Sequence, residues 1–485
     1  MNQQFLLTKV VATLGPASES PEMIRSLIEA GVDAFRLNFS HGSMDTHSGM
    51  LAKVRKVSRE LNLPVAVIGD LSGPKIRIGE VTEGGIQLEQ DQVVEFIHGD
   101  RKVDPSAQSG RVQFSTNYPN FIAEIQQGHR ILLDDGAIAL QCLSKEGLGE
   151  SQSLLCKVLN RGVITSHKGV NLPDTDLSVP ALTTKDHLFI DFANENKLDF
   201  LALSFVRTAN DVALLKAKTK IPVISKIEKP QALDNLEEIL RVTDLIMVAR
   251  GDLGVEIDLA EVAVHQKRII HLCHEYGVPV IVATQMLQSM IESPSPTRAE
   301  VSDVANAIFD GADAVMLSGE TAVGNYPVEA VRMLNRIAEK TNDYIRSGPN
   351  TTVVPTIIRE RMKRSAALAH GVQTIVGDMD IKMIVTWSQM GGSAIYLSQF
   401  RVTIPIIAFT NDEQILQRMS LLFGLFPLFM EQPKSGSRFV TQVDELLKKN
   451  GWAENGDAIV FVLGEPITRP GVTNRLVIHY IGDTD

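Results

Sequence analysis

Two short stretches carry the densest chemistry in this 485-residue chain: VISKIEKP, with Lys226 and Glu228, and LIMVARGDLGVE, with Arg250, Gly251 and Asp252. Each is an apolar run that stops at charged residues. Lys226 and Glu228 lie two apart, so on an extended strand they point to the same side. The carboxylates suit a hard divalent ion such as Mg²⁺, which takes one or two of them plus substrate phosphate oxygens. The lysine and arginine suit an anionic substrate whose charge moves during reaction. A pair of structural salt bridges would leave the same trace. Two neighbouring strands ending this way, with Gly251 placed for close backbone approach, favour a site.

Such groups need rigid elements behind them. Residues 222–227 and 245–249 read as fully buried strands, because nothing in them alternates. Strands are also predicted over 9–14, 34–39 and 64–68, with helices over 21–30 and 47–62 between them. After Lys75 the pattern becomes short strands and glycine turns, with Gly84-Gly85 and Asp135-Gly136 reading as hairpins. The strand–helix alternation then resumes. Helices fall at 184–198, 211–219, 233–242, 260–276, 297–309 and 327–345, and strands at 200–205, 279–283 and 314–317. About eight strand–helix pairs is the count of a closed (β/α)8 TIM barrel, whose chemistry sits at the carboxyl ends of its strands. Those ends carry Arg36, Asn38, Ser40, Asp70, Lys226, Glu228, Asp252, Thr284, Ser318 and Glu320. From Gly348 an open α/β sheet is predicted, with strands at 382–385, 405–408, 426–429 and 457–462. The expected division is barrel over 1–71 and 169–347, an inserted all-β lid over 72–168, and a C-terminal α/β domain over 348–485.

A net charge of −11 disfavours a nucleic-acid or anionic-membrane surface, and leaves room for a local basic pocket. Three scattered cysteines, Cys142, Cys156 and Cys273, fit a reducing cytoplasm rather than a disulfide frame. No signal peptide is expected, and the longest apolar run, 421–430, is too short to span a bilayer. Neither a P-loop nor a dinucleotide fingerprint occurs. His271 and His274 share a helix face around Cys273, but no second ligand pair follows, so ordinary helix histidines are the better reading. Met286 and Met290 read as core filling. Lys53, Arg55, Lys56 and Arg59 read as a solvated helix face.

Longer strings then carry a resemblance. TKVVATLGPAS, FRLNFSHG, GDLSGPKIRIG, LLDDGAI, KGVNLP, SKIEKP, IMVARGDLGVE, ATQMLQSM, PTRAEVSDVANAIFDGADAVMLSGETAVGNYP and RPGVTN resemble the pyruvate kinase family, in its order and spacing. The resemblance implies phosphoryl transfer from phosphoenolpyruvate to ADP, a barrel with an inserted lid, a C-terminal effector domain and a homotetramer. It assigns Glu228 and Asp252 to Mg²⁺, with Mn²⁺ able to substitute. Lys226 and Arg36 fall on the transferred group, and Gly251 and Asp252 on the substrate carboxylate through their backbone N–H groups. Thr284 falls beside the carbon that is protonated, Ser318 and Glu320 at the end of a proton relay, and Arg77 and Lys168 on the nucleotide. Asp135 falls on the lid. Asn38, Ser40, Asp70 and the Leu71 carbonyl match the family's K⁺ site.

Two departures qualify this. Lys75 stands where many members carry a glutamate, and its ammonium near Arg36 and Asp70 would replace the ion, so K⁺ is not expected to be required. The loop TWSQMGGSA is longer than the family's effector-phosphate loop. Thr386, Ser388 and Ser393, with Arg401 nearby, are the residues there that would cradle a phosphorylated metabolite. Two other classes share part of the pattern: a lyase or aldolase acting on an oxoacid, and a catalytically silent metabolite sensor.

Overall fold

The computed structural model describes residues 5–99, 110–348, 363–469 and 471–483. Eight parallel strands close into a barrel in sequence order: Lys9–Thr13, Ala34–Asn38, Ala66–Asp70, Phe200–Leu203, Val223–Ile227, Leu245–Ala249, Val280–Ala283 and Ala314–Leu317. The lid leaves after the third strand and returns before the fourth. Those two strands nevertheless pair directly, Ile68 with Phe200 and Asp70 with Ala202.

The period of two decides what each strand offers to each side. One hydrophobic cluster fills the barrel interior, including Ala34, Ala66, Ile68, Ala202, Ile224, Met247, Ala283 and Met316. The alternate residues, such as Phe35, Val67, Val223, Ile227, Val248 and Val282, pack outward against the helices. Small and large side chains mix within the interior, as a closed barrel requires. One member of this interior cluster, Leu421, comes from the C-terminal domain and enters at the amino end of the strands.

The surrounding helices begin and end on local chemistry. Thr183 with Asp186, and Thr297 with Glu300, form reciprocal capping boxes. Ser43 caps the helix Met44–Leu61, which starts three residues before its predicted onset. Gly277 and Gly311 close their helices in the left-handed region. The predicted helix over 233–242 is instead two short helices, Pro230–Asp234 and Leu236–Leu240, divided at Asn235. The Asn235 side chain donates to the carbonyls of Arg207 and Gln231 there.

The insertion carries a six-stranded and a two-stranded sheet around its own apolar cluster. Arg130–Leu133 and Ile138–Glu146 form the hairpin expected at Asp135-Gly136. Gly84-Gly85 is not a hairpin turn. The strand that follows it, Ile86–Leu88, pairs with the distant Gly162–Ile164. The C-terminal domain is a five-stranded sheet with four parallel strands and an antiparallel edge strand, Arg475–Tyr480. The predicted junction beyond Gly348 lies largely in 349–362, outside the described residues. Among the described residues no helix is long and apolar enough to cross a membrane.

Candidate active site

The period that fills the barrel also aims the site. Ile224 faces the interior, so Lys226 and Glu228 continue on the same side of the fifth strand and emerge at its carboxyl end. Asp70 follows Ile68 in the same way on the third strand, and Ser204 follows Ala202 on the fourth.

These residues converge. The Lys226 ammonium lies 2.8 Å from Glu228 Oε1 and 3.4 Å from Asp70 Oδ1, and donates to Ser204 Oγ at 2.8 Å. Arg36 Nε lies 2.6 Å from Asp70 Oδ2, and its Nη1 reaches Thr13 Oγ1 at 3.3 Å. Burial alone would lower the Lys226 pKa, but Asp70, Glu228 and Asp252 outweigh it and raise it above the ordinary lysine value. Burial would likewise raise Asp70, yet Lys226 and Arg36 hold it below the usual carboxylate range. Glu228 is raised, first by burial and then by Asp252, with Lys226 opposing.

Glu228 and Asp252 fit a hard divalent cation. Asp252 is exposed and carries no hydrogen bond or ion pair among the described residues. Two nearby carboxylates, one of them with its oxygens free, make an oxygen donor set short of positive charge, as Mg²⁺ or Mn²⁺ prefers.

Three residues at this end of the barrel hold a left-handed backbone. Thr284, Gln285 and Phe205 have φ of +70°, +54° and +56°. A β-branched or aromatic residue there is an outlier, held only by strong surroundings. Thr284 Oγ1 accepts from the Gly251 N–H at 2.7 Å and donates to the Ala283 carbonyl at 2.6 Å. The Gly251 N–H expected to meet the substrate carboxylate therefore already has a partner. Glu320 is fully buried, and its two oxygens accept the N–H groups of Leu287 (3.0 Å) and Ser318 (2.7 Å), which ties two strand ends together. The Ser318 hydroxyl is buried without a partner among the described residues.

Several of the expected site residues have other partners in the structure. Arg250 is already taken up by protein partners: Asp303 takes its Nη1 at 2.8 Å and the Thr284 carbonyl takes its Nη2 at 3.0 Å. Lys75 is exposed and appears among the partners of neither Arg36 nor Asp70; its Cε–Nζ end lies over Gly169, beside Asp135. Of the K⁺-type oxygens, Asn38 Oδ1 accepts from the Ser40 N–H, the Leu71 carbonyl accepts from Ser204 Oγ at 2.8 Å, and Asp70 holds Arg36 and Lys226. Arg77 donates to the His167 carbonyl at 2.7 Å, and Lys168 pairs with Asp134 at 2.9 Å, so both are tied to the lid hinge.

In the C-terminal loop, Ser393 donates to Ser388 Oγ at 2.9 Å at the start of the helix Gly392–Gln399. The other two predicted members are elsewhere. Thr386 is fully buried and donates to the Val462 carbonyl. Arg401 stacks on Phe423 at 3.9 Å and pairs with Asp313 of the barrel. Arg55, read as solvated, pairs with Asp199 at 2.8 Å, and His274 is buried with Nε2 2.9 Å from the Gly311 carbonyl.

Ser204 and Thr13 were missed as site residues. The signal was available for Ser204, which lies two residues beyond an interior alanine, in phase with Lys226 on the next strand.

The lid roots flank this cluster. One cavity between lid and barrel is lined by Lys75, Asp135, Asn171, Phe205, Lys229 and Asp252. On the other side of the linker, a cleft of about 400 Å³ gathers Lys75, Arg77 and Lys185 with no carboxylate in its wall.

Two family models match the chain: the pyruvate kinase barrel domain over residues 6–331 and the pyruvate kinase alpha/beta domain over 366–479. A pyruvate kinase of Mycobacterium intracellulare is 40% identical over 482 residues, covering 98% of this chain and 99% of that one. One from Staphylococcus aureus (strain MRSA252) is 41% identical over 485 residues, covering 98% of this chain and 80% of its own length. A crystal structure of a pyruvate kinase from Cryptosporidium parvum superposes with a TM-score of 0.86 at 31% identity, covering 98% of this chain and 96% of that chain.

Proposed function

The chain belongs to the pyruvate kinase family and is a phosphotransferase acting on phosphoenolpyruvate and ADP, and from that premise we propose how its own residues carry the transfer. Lys226 is the electrostatic centre. Its buried ammonium faces the phosphoryl group in flight and stabilises charge that is greatest in the transition state. The observation that carries this reading is its enclosure by Glu228, Asp70 and Ser204 at the carboxyl end of a barrel strand. Asp70 holds both Lys226 and Arg36, so the two cations stay oriented toward one point. Arg36 binds phosphate oxygens through its free guanidinium edge.

Glu228 and Asp252 hold Mg²⁺ or Mn²⁺. The ion these carboxylates would hold would supply positive charge to offset that of the phosphoryl group. Asp252 receives the substrate carboxylate through its N–H, and the Gly251 N–H joins it once Thr284 Oγ1 turns toward the substrate. Thr284 then stands beside the methylene carbon that is protonated. Glu320 fixes the loops around this carbon, and the unpartnered Ser318 hydroxyl passes the proton. Arg77 and Lys168 take the nucleotide on releasing their lid-hinge partners. Residues 72–168 form the lid that excludes water.

The enzyme works without added K⁺. The support is that Asn38 Oδ1, the Asp70 carboxylate and the Leu71 carbonyl already have protein donors, rather than any contact from Lys75. A phosphorylated effector binds at Ser388 and Ser393, and the enzyme is a cytoplasmic homotetramer.

The test is a coupled assay of pyruvate and ATP formation, run on the wild-type chain and on Lys226→Met. Phosphoryl transfer should be lost in the variant while exchange of pyruvate methyl hydrogens with solvent survives better. ATP formation at the wild-type rate would remove Lys226 from this role.

A further inference from the structure

The short helix Arg250–Glu256 has two working ends. Its first turn carries Gly251 and Asp252. Its last residue, Glu256, is buried at 2% exposure, and its Oε1 accepts from Asn171 Nδ2 at 2.6 Å and from Lys229 Nζ at 2.5 Å. Asn171 lies just beyond the expected boundary at 168 but joins the sheet of the insertion, in the strand Val170–Asn171, which pairs with Arg130–Leu133. A second contact lies alongside: a Cβ placed on Gly136, in the lid hairpin, would fall 3.6 Å from Val255 Cγ1. The lid therefore holds the carboxyl end of the helix whose amino end faces the reacting groups.

Lys229 extends the connection. It directly follows Glu228, and its ammonium lies 5.5 Å from the Phe205 ring centroid. Phe205 is strained, at φ +56°, and its N–H donates to Glu228 Oε2 at 2.9 Å. The Phe205 ring also fills the space beside Gly73, where a Cβ would meet it at 2.7 Å, on the linker that leads into the lid. Among the described residues, Glu256 is the carboxylate bonded to both the lid strand and this chain of contacts. A buried ion pair contributes little net stability but specifies geometry. Its place here, bridging the insertion and the barrel, gives that geometry a use.

We propose that Glu256 is a positioning residue. Through Asn171 and Lys229 it registers the lid against the barrel and sets the helix that carries Gly251 and Asp252. The closed lid thus completes the site through this helix as well as by covering it. The proposal rests on the pyruvate kinase reading of the mouth.

Asn171→Ala removes the lid link and leaves the Lys229–Glu256 pair intact, so it should fold. Its kcat/KM for ADP should fall about tenfold, through kcat and KM together, with KM for phosphoenolpyruvate within about twofold of wild type. Its Tm should stay unchanged. Hydrogen exchange, which needs no turnover, should show faster exchange at the amides of Arg250–Glu256, with the remaining barrel as protected as before. Glu256→Gln, which keeps an acceptor for Asn171 but uncouples the charge of Lys229, should move the same readouts and serves if the first variant folds poorly. Wild-type kinetics with unchanged exchange in this helix would overturn the proposal. So would equal losses for both substrates with a lowered Tm, which mark a purely structural role. A wild-type chain that makes no ATP would refute the underlying reading, and the exchange experiment would still decide the positioning role.

Discussion

The two ends of the barrel treat charge in opposite ways. At the carboxyl end, the Asp252 carboxylate and the buried Ser318 hydroxyl have no partner among the described residues. At the amino end, four aspartates repeat one arrangement. Asp33, Asp199, Asp244 and Asp313 each stand just before an even-numbered strand. Each accepts the N–H of Val10, Val67, Val223 or Val280 from the preceding odd-numbered strand, at 2.7 to 2.8 Å. Each also has its own cation: Lys9, Arg55, Lys216 and Arg401 respectively. Each floor aspartate meets an N–H and a cation, with Asp199 Oδ1 alone of their oxygens buried and unpartnered among the described residues, while the mouth keeps unmet electrostatic demand for ligands to fill. Stability is concentrated at one end and reactivity at the other.

The contrast is broken most forcefully at Lys226. Lys226→Met should lower kcat by at least about a thousandfold, with a far smaller change in Tm, because its charge serves the transition state. Steady-state kinetics beside thermal unfolding checks both halves. Asp252→Asn should cost about a hundredfold in kcat and weaken Mn²⁺ binding, measurable by water-proton relaxation without turnover. Unaltered Mn²⁺ affinity would place the ion elsewhere.

The floor should answer in reverse. Leu421→Ala opens a hole in the barrel interior and should cost about 3 kcal/mol in denaturant unfolding, leaving kcat unchanged at 25 °C. A loss of activity matching the loss of stability would erase the distinction between the ends.

The strand ends were legible from the sequence, because a period of two relates Lys226 to Glu228 whatever the surroundings. The eight-fold alternation was legible for the same reason. The direction of Arg250 was not, since a long flexible side chain at a strand end can follow either partner, and Asp303 lies 53 positions away. The aspartate floor was equally hidden. Its four members sit in unremarkable contexts, and their shared role appears only when neighbouring strands are staggered against each other. The antiparallel edge strand and the helix Lys363–Asp378 also went unread, the helix following a stretch with no clear start signal.

His274, at the floor, sharpens the comparison through pH. Burial pushes its pKa down to about 3, with Arg401 adding to the effect. The unfolded chain takes up the proton first, near the ordinary value of about 6.5, so this contribution to stability is full above that pH and is lost as pH falls toward about 3. Between pH 6.5 and 5 the loss should be about 2 kcal/mol. Asp33, Asp199 and Asp313 are raised by burial and tilt the other way, so the diagnostic is the difference from His274→Gln, which should be less acid-sensitive. The smallest effect is expected from K⁺. Added to a tetramethylammonium buffer, it should activate the wild-type chain less than about threefold.

Leu421 has a consequence for the order in which the molecule can be made. The last barrel strand ends at Leu317, yet the side chain that fills the barrel from below arrives only at Leu421, roughly a hundred residues later in a chain synthesised from its amino terminus. Ser420 arrives with it, accepting the Ala66 N–H and donating to the Asp33 carbonyl. A nascent chain with all eight strands exposed still has an open floor. The barrel reaches its final packing only when the C-terminal domain is translated and docks, so translation pauses after Leu317 should prolong the interval in which the half-closed barrel is open to chaperones and proteases.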